Sequence, residues 1–374
     1  MASKDVSYTA RYSKKYHVSV TSKDETKGIV SGAGDFAYTS SVTVTGTPAV
    51  ADPFNAITWY DDSFAAVSTD FSYTFAMPEA NVNLSADFGK ARLGTSFDLG
   101  KYPQTVVEDS TLLNALTTAA DTDSDGYLEY GSDEYKKVTG APYESNYKSL
   151  SGNVTFATGS TYYFKVEPIQ WRVLSGKGTA TGLVMSEKVL TNSAYYTSYS
   201  GRTISGSTVY PSNYQYSTLR AMLNGYDGSG YSVDNFTGKG FLDVAFTAAE
   251  KAYITTSTVD NSAATASSTN KYACANTSDK IFALSYQDLI NTSFGFNSSY
   301  SNYDTARCGV LTDYARATGA WMSTNYGNGY WWSRSPDADY FNDARYVGHG
   351  GNLNYSGVNY ANYGIRPSFT VSIG

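Results

Sequence analysis

The chain has 374 residues, a formal net charge of −7 and a sequence pI near 4.9, and no basic cluster exceeds Lys14-Lys15 or Lys136-Lys137, which argues against nucleic acid or an anionic membrane as partner. It contains no run of about 18 apolar residues to span a bilayer, and no charged start followed by an apolar core to mark a signal peptide. With 41% hydrophobic residues and 35 tyrosines it is a folded chain sized for one small and one large domain, and its tyrosines suit an exposed recognition surface. Strand-rich secreted proteins carry the same bias toward Tyr, Thr and Ser.

Residues 1–13 read as an added start or linker. Residues 14–90 read as a small all-β module: 17–20 and 41–45 alternate, 28–34 is a Gly-rich turn cluster, and Phe71-Ser-Tyr-Thr-Phe75 precedes Met77-Pro78 and a last strand at 81–88. His17 lies on a strand and is read as structural. The Gly-rich hairpin, Trp59 and the Tyr-Thr-Phe-x-Met-Pro strand resemble a bacterial surface repeat of the internalin B-repeat type, here in one copy that would serve as a stalk or spacer.

The second domain takes residues 91–374. Segments 97–104, 163–174 and 182–190 are expected as core strands, apolar enough to be buried on nearly both faces. A helix is expected at 217–223, with Ser217 as N-cap, and another from about Phe241 to Ile254 at helical apolar spacing. Residues 257–278 read as a loop, 279–285 as a buried strand, 286–291 as a short helix, and 312–319 as a helix ended by glycine. Cys274 and Cys308 are too few for a disulfide framework and wrongly spaced for a zinc knuckle; a disulfide between them and two free thiols are both open.

Asp121, Asp123 and Asp125 with Gly126 have half the pattern of a calcium loop, but position 12 is Ser132 where a bidentate Glu belongs, and an acidic turn before a hairpin around 131–133 is the stronger explanation. No metal and no cofactor is therefore expected. Calcium-bridged sugar recognition is not supported either: Glu167-Pro168 is followed by Ile169, which cannot ligate a cation. With only His17 and His349 present, a histidine-dependent triad is not expected, and no pair of carboxylates stands out by spacing.

The C-terminal stretch organises the rest. Between Tyr330-Trp331-Trp332-Ser-Arg334-Ser335-Pro336 and Gly364-Ile365-Arg366-Pro367 lies 337–363, a polar and aromatic segment marked by Ala344, Val347, Leu353 and Val358. It lacks Lys, Glu, Gln, Met and Trp, which make up roughly a tenth of the chain, so roughly three would be expected by composition. What it holds is Asn, Tyr, Asp, Gly, Ser, His, Ala and Phe, the residues reached when the adenines of an AAC codon are replaced.

Those anchors, with Ala344-Arg345-x-Val347 and Gly351-Asn352-Leu353, resemble the cassette of the variable proteins of diversity-generating retroelements of the treponemal type. The resemblance covers about 92–374, with the variable region at about 321–366. It implies an α+β fold, a C-type-lectin-like domain related to formylglycine-generating enzymes and preceded by the small all-β repeat module. It also implies a secreted or surface-displayed protein, with an export signal or lipid anchor removed ahead of the opening residues. Trp331, Trp332, Arg334 and Arg366 read as scaffold. The display positions are Asp337, Asp339, Tyr340, Phe341, Asn342, Asp343, Tyr346, His349, Asn354, Tyr355, Ser356, Asn359, Tyr360, Asn362 and Tyr363. These would act like a paratope on a protein or cell-surface ligand that differs between variants. No catalytic residue is expected. A fixed adhesin or glycan-binding module is the alternative reading. An oxidase on the formylglycine-generating fold is the second, although Cys274 and Cys308 do not match its cysteine pair.

Overall fold

A computed structural model describes residues 14–50, 55–90, 96–176, 181–266 and 269–372, and the chain divides into two compact units, Met1–Ala91 and Arg92–Gly374. Residues 1–13, expected as a start or linker, lie outside the described residues. Among the described residues no helix is long and apolar enough to cross a membrane.

The smaller unit is all β. One sheet runs Gly34–Ala37, Lys15–Ser22, Val82–Lys90, Asn55–Tyr60, Ala66–Ser68, and its first and last long strands pair in parallel. A second sheet runs Gly28–Ser31, Ser41–Pro48, Ser72–Ala76. Alternation puts Val18, Val42, Val44, Ile57, Trp59, Leu84 and Ala86 inside. Trp59 satisfies its indole N–H on the Asp70 carbonyl at 2.9 Å.

The Gly-rich stretch expected as a turn cluster is instead a strand at Gly28–Ser31 followed by a turn at Gly32, whose φ is +106°. Gly28 stays a glycine in strand conformation because a Cβ there would meet the Phe88 ring at 2.6 Å. His17 is exposed and sits 2.7 Å from Asp35.

The larger unit is mostly β with short helices. Its main sheet runs Leu128–Tyr130, Asp133–Thr139, Thr161–Val173, Thr181–Ser186, Ser368–Ser372, Ile254–Thr255, with Ser96–Val106 also paired to Thr161–Val173. The expectation that the central strand is buried on nearly both faces needs correcting. Ile169, Trp171 and Val173 are buried, while Gln170 and Arg172 between them are not, so only one face is closed there. Trp171 lies edge-on to Phe369 with centroids 4.4 Å apart, and donates to the Leu99 carbonyl.

Thr218–Asn224 is helical as its sequence predicts, with the Ser217 hydroxyl accepting from Arg220 N–H and Gly225 closing it in the left-handed region. The long helix expected at 241–254 is two short ones, Phe241–Ala245 and Ala248–Tyr253. Phe246 turns extended to stack on Trp171, and Thr247 opens a capping box with Glu250, a local signal that wins over periodicity.

The strand expected at 279–285 reduces to a short pairing, Thr277–Asp279 with Ser257–Val259, and one bridge from Phe282 to Ser368. The first of these closes the loop expected at 257–278 into a hairpin. Asp313–Ala317 is helical, with Thr312 as its N-cap.

A second sheet runs Thr191–Asn192, Gly364–Ile365, Trp331–Pro336, Asp343–Val347, Leu353–Gly357 and carries the C-terminal stretch. Its inner side packs on a core that includes Phe156, Phe164, Met185, Leu284, Leu311 and Trp331.

Candidate functional site

The two anchors are buried and spread over many carbonyls. Trp331 donates to Arg307 O at 3.1 Å and Trp332 to Ser193 O at 3.0 Å. Arg334 reaches Ala283 O and the Asp288 carboxylate, both at 2.9 Å. Arg366 is completely buried and donates to Ser186 O, Glu187 O, Arg307 O and Cys308 O, with its guanidinium over the Trp331 ring at 5.0 Å. Burial drives its pKa down to about 9, and the carbonyls compensate for lost water. Arg307 O thus accepts from both ends of the segment.

Between the anchors the backbone is tied throughout. The Asp337 carboxylate accepts from Asp339 N–H and Tyr340 N–H, and Ser212 donates to Phe341 O at 2.7 Å. The turn before Leu353–Gly357 uses Gly351 at φ +80°, where a Cβ would lie 2.1 Å from Asp304 O; Arg307 donates to Gly351 O and Asn328 to His349 O. Farther on, Val358 O, Ala361 O, Asn362 O and Tyr363 O accept from Tyr196, Asn192, Trp321 and Ser193. Ala344, Val347, Leu353 and Val358 are all buried.

Side chains of the segment fall on two sides of the sheet, because Arg345 pairs with Tyr355 and Tyr346 with Asn354, and successive residues alternate. On one side Arg345 forms an ion pair with Asp337, nitrogen to oxygen 2.9 Å, and lies over the Tyr286 and Tyr355 rings, while Tyr355 stacks on Tyr340 with centroids 5.5 Å apart. On the other, Tyr346 packs against Tyr330, Trp332 and Tyr363, and the ring contacts continue to Trp321, His349, Tyr326 and Tyr360. Burial raises the hydroxyl pKa of Tyr330, Tyr346 and Tyr363 above the ordinary range. Tyr199, hydrogen-bonded to Tyr360, is pushed up to about 12, again chiefly by burial.

Of the expected display residues, Asp339, Tyr340, Phe341, Asn354, Tyr355 and Tyr360 are exposed, and Asn342, Asp343, His349, Ser356, Asn359 and Asn362 are half-buried. Three need correcting as freely displayed side chains. Asp337 is sealed, held by Arg345 and by the turn N–H groups it accepts from. Tyr346 and Tyr363 are buried in the ring network. The single face expected for the segment is also two, since hairpin alternation divides it. Sequence reasoning missed Trp321, Tyr326 and Tyr330 as members; their density just ahead of Trp331 was the available signal.

The remaining candidates lie elsewhere. Asp121, Asp123, Asp125 and Glu129 bring carboxylate oxygens within 4.8 Å of one another, a hard-oxygen set that fits a cation such as calcium. Yet each also accepts a backbone N–H, and Lys101 sits 3.1 Å from Asp125. Cys274 and Cys308 are free, and burial pushes both thiols up, lowering the thiolate fraction. A groove of about 270 Å³ beside Asp98, Glu167, Glu187 and Lys188 contains none of the expected display residues.

Comparison with known families gives two matches. A divergent InlB B-repeat domain matches residues 18–92, the smaller unit, and a domain of unknown function, DUF6273, matches residues 180–373, which include the whole C-terminal sheet. No curated protein and no solved structure matches the chain. The second match takes in more than half of the sequence, and the chain therefore belongs to the DUF6273 family, with a divergent InlB B-repeat domain at its N-terminal end.

Proposed function

We propose that this is a surface-displayed ligand-binding protein whose larger unit is C-type-lectin-like and presents a diversified recognition surface, with the repeat module as spacer. One observation carries the reading: backbone groups of 337–363 are tied to the core by carbonyl and side-chain bonds, while most of its Asp, Asn, Ser and Tyr side chains stay open or half-open to solvent. A fixed backbone lowers the ordering cost of binding, and tyrosine supplies rigid contact area with a polar tip. The InlB-type repeat supports a surface-associated setting. The residue types of the segment, all reachable from an adenine-bearing codon, support diversification.

The test replaces Tyr340, Tyr355 and Tyr360 together by Ser and follows the thermal midpoint and binding to a panel of cell surfaces and proteins. A nearly unchanged midpoint with lost or redirected binding supports recognition; unchanged binding sinks it. Sequencing the neighbouring DNA separates a diversified protein from a fixed adhesin, since diversification requires a near-repeat of the last coding segment with adenines at the display positions.

A further inference from the structure

The ring network carries an inference about ligand class, and it rests on the recognition reading above. Trp321 and Tyr330 stack with centroids 3.9 Å apart and planes 21° apart, and Tyr330 and Tyr363 follow at 5.5 Å and 24°. His349 lies 29° from Tyr330, and Tyr326 lies 21° from His349. The near-parallel stacking is pairwise, since Trp321 and His349 are 49° apart and Tyr360 is tilted 57° from Tyr363, and the ring contacts end at Tyr326, 63% exposed, and Tyr360, 47% exposed.

None of the ring residues of the row is Asp, Glu, Lys or Arg. Burial leads the causes that raise the hydroxyls of Tyr330, Tyr346 and Tyr363, with hydrogen bonds to Ser356 and Tyr346 opposing it at Tyr363; at the far end Asp343 acts on Tyr199, the hydrogen-bond partner of Tyr360. Arg345, the cation of the hairpin, is on the opposite side and paired to Asp337.

We propose that this row binds a neutral saccharide. A pyranose ring has an apolar C–H face and a rim of hydroxyls. The exposed rings of Tyr326 and Tyr360 at the ends of the row match the first, and tyrosine hydroxyls with the amides of Asn354 and Asn362 match the second. An anionic polymer would need Arg or Lys in the row, and a charged peptide would need opposite charge there. The row contains no carboxylate, so the binding needs no calcium bridge.

The test presents the full chain, in chelator, to immobilised neutral oligosaccharides of glucose, galactose, mannose and N-acetylglucosamine, with sialylated and sulfated ones alongside. The expected result is capture by a neutral saccharide, weakened tenfold or more by Tyr326→Ala with Tyr360→Ala and unchanged by Tyr130→Ala, an exposed ring that no binding role is assigned to. All three rings are exposed, and unchanged thermal midpoints certify the folding of both variants. Capture by charged saccharides alone, loss in chelator, equal loss with Tyr130→Ala or no capture at all overturns the proposal. If nothing is captured while binding to the cell-surface and protein panel persists and depends on Tyr360, the ligand class falls and the recognition reading stands. If that binding is absent too, both fall.

Discussion

Tyr346 and Tyr363 meet edge to face with ring centroids 4.8 Å apart, and both are nearly closed to solvent although the segment around them is polar. Their rings form part of the packing under the surface, so they differ in kind from Tyr340 and Tyr360. Tyr363→Ser is expected to cost about 3 kcal/mol, the range of a buried aromatic truncation, whereas Tyr340→Ser stays within about 0.5 kcal/mol. Denaturant midpoints at constant slope measure both, and equal costs would refute the distinction.

Asp337 and Arg345 form the other fixed pair, at 2.9 Å with the carboxylate sealed. Removing Arg345 leaves a buried charge without its ion partner, and Arg345→Ala is expected to cost about 3 kcal/mol. In a double-mutant cycle with Asp337→Ala the pair should couple by about 1 kcal/mol or more. Additive losses would mean that the ion pair contributes nothing beyond the turn bonds of Asp337.

Asp343 gives a pH signature. Burial first, and the Asp337 charge second, raise its carboxyl above the ordinary 3.8. The native state then keeps the proton to higher pH than the unfolded chain, so the ionised form costs stability at neutral pH, and the cost fades as pH falls through the native pKa toward 3.8. Asp343→Asn should raise the thermal midpoint at pH 7, with the gain shrinking on acidification and gone near pH 3. A gain of the same size at pH 3 would show that charge is not its source.

The parts of the fold legible in the sequence are those set by neighbours along the chain. Ser217 and Gly225 bound their helix because cap and stop signals act within one turn. The same local rule explains the misread helix, where Thr247 and Glu250 restart the chain inside a pattern that periodicity alone joins. The burial of Ala344, Val347, Leu353 and Val358 follows from their type. The division of the display residues between two sides does not, because it depends on the register that puts Arg345 opposite Tyr355 and on the irregularity between Trp332 and Pro336. The sealing of Asp337 depends on that hairpin as well, and Trp321 joins the ring network only through the tertiary fold.

The carbonyl of Arg307 accepts one hydrogen bond from Trp331, where the segment begins, and another from Arg366, just past where it ends. Both ends of the segment are therefore clasped at one acceptor of the scaffold that is not itself a display position. Exchanging the exposed side chains leaves that clasp in place, whereas one residue inserted into either hairpin strand would shift the register that buries Ala344, Val347 and Leu353.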